Sequence, residues 1–193
     1  AEEEGIMYTT LTYEKSISVS EYLENYTDIS VFLEACKKCG NYGRIWACPP
    51  YDFDVEQYWK KYEVLQLLAV KIVFDPSYTK KTYTPDELQR LIDPILHREK
   101  QKISDILFQR ELEYSGSVSL SAGSCSRCPN GCLRTEGKLC RYPDAMRYSI
   151  ESLGGNVGLT ISKLMGQHLE WIEEGKLPHH FVLVGGLLLP KMR

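Results

Sequence analysis

Apolar and polar residues change period several times along this chain. Tyr8 to Val19 mixes Thr, Tyr, Ile and Val with partial alternation, which predicts one or two strands. Ser20 to Leu23 starts a short helix that Ser18 or Ser20 would cap, and Asp28 to Cys36 places Ile29, Phe32 and Leu33 on one helical face. Asn41 to Phe53 has no period and reads as a loop. Asp54 to Tyr62 reads as a short helix with Asp54 as its cap. Leu65 to Phe74 (LQLLAVKIVF) is the clearest buried strand, and Pro76 to Thr84 is a turn region.

Thr84-Pro85-Asp86-Glu87 is a strong helix start, with a Thr cap, Pro in the first turn and Glu three residues on. That helix runs towards Tyr114, with Leu88, Leu91, Ile92, Ile95, Ile103, Ile106, Leu107 and Leu112 at helical spacing and Pro94 expected to kink or interrupt it. Val118 to Leu120 is a short strand. Pro143 to Leu153 reads as a helix ended by Gly154-Gly155, Asn156 to Leu164 as another, and His179 to Leu189 as a strand. Strands and helices alternate without a glycine-rich phosphate loop. The expected fold is therefore α+β, a single domain over residues 1–193: a mostly antiparallel sheet with helices packed on one face, plus cysteine-rich loops at 36–54 and 121–147.

Composition changes this picture little. The 193 residues are 43% hydrophobic, enough for a sizeable core without help from a metal, and the net charge of −3 gives no argument for nucleic acid or a membrane surface. Thirteen Tyr against five Phe suits partly wet interior walls. No apolar run approaches the roughly 18 residues of a spanning helix. The start, AEEEGIMYTT, is acidic and lacks the apolar stretch of a signal peptide, so the thiols are expected to be reduced, in a cytoplasm.

The cysteines carry the chemistry. All seven fall in two groups: Cys36, Cys39 and Cys48 as C-x2-C-x8-C-P-P, and Cys125, Cys128, Cys132 and Cys140 as C-x2-C-x3-C-x7-C. Thiolates bind soft metals as anions and must converge on one centre, so clumping favours metal over disulfides, as does the odd count. The compact second group suits a [4Fe-4S] cubane better than a zinc knuckle, whose paired turns lie farther apart; zinc is the alternative. Between Ser124 and Arg147 stand Arg127, Arg134, Lys138, Arg141 and Arg147 against Glu136 and Asp144, an excess of cations that would offset a thiolate cluster. Three thiolates in the first group leave a coordination position open, which suits a second [4Fe-4S] centre with a reactive iron. Arg44 would face that centre, and Tyr42 and Trp46 would screen it from water. Packing of a long loop is the competing role for these residues. Asp52 and Asp54 are further candidates to complete the site, and one site shared by both cysteine groups is an alternative partition. The four histidines, His97, His168, His179 and His180, are also candidates, but His97 in the long helix reads as packed or exposed, and His179-His180 at the opening of a strand reads as structural before ligating.

The segments CKKCGNYGRIWACPPYDFD and SAGSCSRCPNGCLRTEGKLCRYPDAMRYSIESLGGNV resemble a prokaryotic family of unknown function described as predicted metal-binding proteins. The resemblance implies metal binding at the seven cysteines and no established substrate. It also adds Cys140 to Val157 to the suspected site, where Arg141, Arg147 and Glu151 are expected on or before a helix and Arg141 and Arg147 would clamp an anion. The function expected from these readings is an iron–sulfur protein in electron transfer or redox chemistry. The alternatives are a non-redox cluster enzyme of lyase type, binding a substrate heteroatom at the open iron, and a zinc-bearing interaction module. The expected partner is a redox protein or a small-molecule substrate, with no nucleic acid and no membrane. A homodimer through a sheet edge or the cysteine lobes stays open.

Overall fold

The structure, a computed structural model, describes residues 6–192. The acidic stretch at residues 1–5, on which the reading of the chain start partly rests, lies outside the described residues. Four strands, β1 (Tyr8–Ser18), β2 (Tyr62–Phe74), β3 (Val118–Leu120) and β4 (His180–Pro190), form one antiparallel sheet in the order β1-β2-β4-β3. Six helices accompany it among the described residues: α1 (Val19–Tyr26), α2 (Ile29–Cys36), α3 (Val55–Lys60), α4 (Pro76–Thr79), α5 (Pro85–Glu113) and α6 (Val157–Met165). The α+β class and the antiparallel sheet are as expected. No helix among the described residues is long and apolar enough to cross a membrane.

The expectation that helices cover one face of the sheet gives way to coverage of both. Along β2, Leu65, Leu67 and Ala69 join one core cluster with Tyr22, Trp59 and Ile161 from α1, α3 and α6. The alternate residues Leu68, Val70, Ile72 and Phe74 join a second cluster with Leu88, Ile92, Ile95, Ile103 and Leu107 of α5. A strand with both pleat faces buried needs apolar side chains at nearly every position, which accounts for the dense apolar run in LQLLAVKIVF, broken only at Gln66 and Lys71. The edge strand β1 is mostly exposed and carries Thr, Glu and Lys, which discourage pairing with another chain.

Local signals place most boundaries. Ser18, Asp28, Asp54 and Asn156 each accept a backbone N–H at a helix start, and Thr84 with Glu87 completes the capping box of α5. Pro94 lies inside α5 without ending it; Ile106 and Leu112, counted on its apolar stripe, are exposed. Within the expected turn region, Pro76–Thr79 forms a single helical turn.

The segment from Pro143 to Leu153 departs most from expectation. It is not a helix: turns lead to a short 3-10 turn at Glu151–Leu153. Ser149 and Ser152 exchange side-chain-to-amide bonds (Ser149 N to Ser152 Oγ 3.0 Å, Ser152 N to Ser149 Oγ 3.1 Å), and the Ser121 amide donates to Tyr148 O at 2.8 Å. Serine hydroxyls that bond the local backbone compete with helix, and the pairing with Ser121 completes the diversion.

This segment is stapled to the start of α2. Asp28 N donates to Gly154 O (3.1 Å), Asn156 N donates to Tyr26 O (2.8 Å), and Trp59 Nε1 donates to Leu153 O (2.8 Å). The staple leaves no room for a side chain at Gly155, where a Cβ would meet Ile150 Cγ2 at 2.3 Å and Ile150 O at 3.0 Å. Ile150 is fully buried and cannot yield. Gly155→Ala is therefore expected to cost roughly 1–3 kcal/mol, read as a lowered denaturation midpoint.

Candidate metal centre

Helix α2 delivers Cys36 in its last turn, and tight turns deliver the next two thiols: Cys39 N donates to Cys36 O (2.9 Å), and Cys48 N donates to Ile45 O (3.0 Å). Gly43 N closes the loop onto Pro49 O at 2.8 Å. Short strand β3 feeds the second loop, in which Gly123, Gly131 and Gly137 all take positive φ. Gly131 N donates to Cys128 O (3.2 Å), and Thr135 returns both its amide and its hydroxyl to Cys132 O (3.3 and 3.0 Å).

All seven thiols are free. Burial raises Cys36 and Cys125, and it pushes Cys48 up to about 11; neighbouring cysteines add to each shift, so charge on one thiol disfavours charge on the next. Cys48 feels Cys36 and Cys39 of its own group and also Cys125 of the other, which makes the two groups neighbours in space. A cation placed among such thiols reverses the balance, and its binding releases protons.

Arg134 holds the two loops together. From the 3-10 turn Leu133–Glu136 it donates to three carbonyls of the first loop, Ile45 (3.0 Å), Cys48 (2.6 Å) and Pro50 (2.6 Å), and it lies 4.9 Å over the Trp46 ring. Trp46 answers by donating from Nε1 to Lys138 O at 3.0 Å. Trp46 also lines, with Ile45 and Ala47, a cavity of about 110 Å³ whose wall contains Cys125, Cys128, Cys132 and Cys140. Sequence reasoning counted Arg134 only as one of several cations. Its reach to carbonyls across the loops leaves no mark in spacing.

The other named residues are placed as follows. Arg44 and Arg141 are exposed, Tyr42 is half-buried in the first loop, and Asp54 caps α3. Arg147 does not lie on a helix. Its guanidinium grips Glu111 of α5 at both carboxylate oxygens (2.9 and 2.8 Å) and donates to Asp144 O and Met146 O, so its donors are committed within the protein. Burial alone would raise the Glu111 carboxyl, but the Arg147 bonds and the Ser119 amide outweigh it and hold the group below the usual carboxylate range. A carboxyl depressed in the folded state stabilises above its unfolded value of about 4.3, and the contribution is lost as pH falls through the lower folded value. Glu111→Gln should thus cost roughly 1–3 kcal/mol at neutral pH and flatten the acid limb of the stability profile.

Glu151 is the unsatisfied group of the region. Its Oε2 is buried without a hydrogen-bond partner, burial pushes its carboxyl up, and its charge reaches Cys36 across the contact between α2 and the Glu151–Leu153 turn. Around the first loop Tyr51, Phe53, Tyr58 and Tyr148 pack ring on ring, with Tyr51 Oη donating to Ala47 O (3.0 Å) and Ser152 O (3.1 Å). These are the amphipathic walls suggested by the tyrosine excess. A cleft of about 620 Å³ lies between α5 and the second loop, walled by His97, Lys100, Ser104, Cys125 and Arg127 among others.

A family model matches residues 26–189; its description is "predicted metal-binding protein (DUF2284)". The chain belongs to this family. The match runs from the last residue of α1 nearly to the end of β4 and so takes in both cysteine groups of this DUF2284 member. No curated protein and no solved structure matches it. Family membership supports metal binding and leaves the metal open.

Proposed function

We propose that the chain carries two iron–sulfur centres, a [4Fe-4S] cluster on Cys125, Cys128, Cys132 and Cys140 and a second on Cys36, Cys39 and Cys48, and that it works in electron transfer or redox chemistry. The observation that carries this reading is the cavity among the four thiols of the second group. Four thiolates on one zinc, with Zn–S near 2.3 Å, stand about 3.8 Å from one another. Cys125, Cys128, Cys132 and Cys140 line a cavity of about 110 Å³. That space is several water volumes, at about 30 Å³ each, and it suits a cluster that takes one cysteine per iron. When bound, such clusters exchange single electrons over a range of about −700 to +450 mV.

The chain's own residues fit that work. Trp46 shields the second-group cavity, and Arg134 brings positive charge to Cys48. The proximity of Cys48 to Cys125 supports electron passage between neighbouring centres. The partner would be a redox protein or a small molecule, in a reducing compartment such as the cytoplasm. A second reading, non-redox substrate binding at the three-cysteine centre, draws on Glu151: with one position lacking a thiolate, a buried carboxyl near Cys36 with one unpartnered oxygen would ligate it or hold a proton for a substrate.

The test is an anaerobic redox titration of freshly purified protein. Brown protein whose visible absorbance bleaches reversibly within the cluster range supports the proposal. Colourless protein with stoichiometric zinc overturns it.

A further inference from the structure

Three of the four histidines of the chain converge on one carboxylate, Glu170. After α6 ends at Gly166, the chain folds back and lays His168 and Glu170 against the first residue of β4, His180. His168 Nε2 lies 3.2 Å from Glu170 Oε1, and His180 Nδ1 lies 3.6 Å from the same oxygen. One ligand atom from each of the three residues falls within 4.8 Å of the others. We propose that His168, Glu170 and His180 bind one divalent first-row transition-metal ion, at a site separate from the cysteine centres.

Three observations support the site. First, tetrahedral bonds of about 2.0–2.2 Å from such an ion to imidazole nitrogen and carboxylate oxygen set neighbouring donors about 3.3 to 3.6 Å apart, close to the two histidine–carboxylate separations of 3.2 and 3.6 Å. Second, the supporting contacts are those of a ligating histidine. His180 Nε2 is 2.8 Å from the His168 carbonyl, an acceptor only, so that nitrogen carries the proton and Nδ1 faces Glu170. Third, the carboxylate is fixed from behind: His179 N–H donates to Glu170 Oε2 at 2.8 Å, and His179 O accepts from Phe74 N at 3.0 Å, which ties the site to the sheet.

The donor set, two imidazoles and one carboxylate, selects borderline ions such as zinc, nickel, cobalt or ferrous iron over calcium or magnesium. Three protein ligands leave further positions for water or a substrate oxygen, and exposed His168 leaves the ion reachable from solvent. His180 is buried, so the ion would sit between the sheet and the returning loop. The donor cluster consists of His168, Glu170 and His180 and takes no thiol from either cysteine group.

Nickel(II) is the probe, titrated by equilibrium dialysis into anaerobically prepared, iron-loaded protein. The expected result is one nickel per chain at micromolar concentration, with His168→Ala and Glu170→Gln each weakening it at least tenfold and leaving iron content unchanged. His168 is exposed, so its replacement tests the site without threatening the fold. Absence of nickel binding by the wild-type protein, or wild-type affinity in both variants, overturns the proposal. The second result would mean that the cluster is an ion pair of protonated histidine with Glu170 and that nickel binds elsewhere.

Discussion

Arg134→Ala should separate the two cysteine loops and lower the metal content of both. Arg134 supplies three hydrogen bonds from a charged donor to carbonyls of the opposite loop, one of them the carbonyl of Cys48 itself, and stacks on Trp46. Bonds from charged donors contribute about 1.5–3 kcal/mol each, and truncation also strands the three carbonyls. Since the guanidinium is half-exposed and some carbonyls will find water, a net cost of roughly 2–4 kcal/mol is expected. The positive charge that favours the Cys48 thiolate is removed as well, and that thiol is the one burial holds highest, at about 11. Denaturation midpoint and iron per chain should fall together. Arg134→Lys should recover little of either, because a single ammonium cannot span three carbonyls in a fixed plane. A truncated variant that matches wild type in both readouts would show that the loops are held elsewhere.

Replacing single cysteines should divide the metal content by group. Cys48→Ala removes a buried thiol of the first loop, and Cys132→Ala removes one whose carbonyl anchors the turn at Thr135. If the cysteines sort three and four, each variant loses one centre, and iron falls from about eight to about four per chain. The spectra should differ, because the centre that survives in each case has a different ligand set. The partition needs this test because Cys48 lies near enough to Cys125 for their charges to interact. Complete loss of iron from both variants would mean one shared site.

Much of the fold was written in local signals. Side chains of Ser18, Asp28, Asp54, Thr84 and Asn156 satisfy orphan amides at helix starts, a short-range effect that sequence exposes directly. The cysteine groups were equally plain, because metal ligation demands several donors close together. The misread parts depended on distant partners. Pro143 to Leu153 has a helical opening and an amphipathic pattern, yet Ser121, Ser149 and Ser152 redirect its backbone. Coverage of the second sheet face was signalled by the dense apolar run of β2, but which helix would cover it was not. Arg147 looked like a free anion clamp until Glu111, 36 residues upstream, took both ends of its fork. The histidines gave no spacing at all: His168, Glu170 and His180 meet only because the loop after α6 doubles back.

The iron and acid-labile sulfide content of wild-type protein, purified and assayed without oxygen, tests the central claim most directly. Two [4Fe-4S] centres require about eight irons and eight sulfides per chain, with no zinc. One zinc per chain and no sulfide would contradict it.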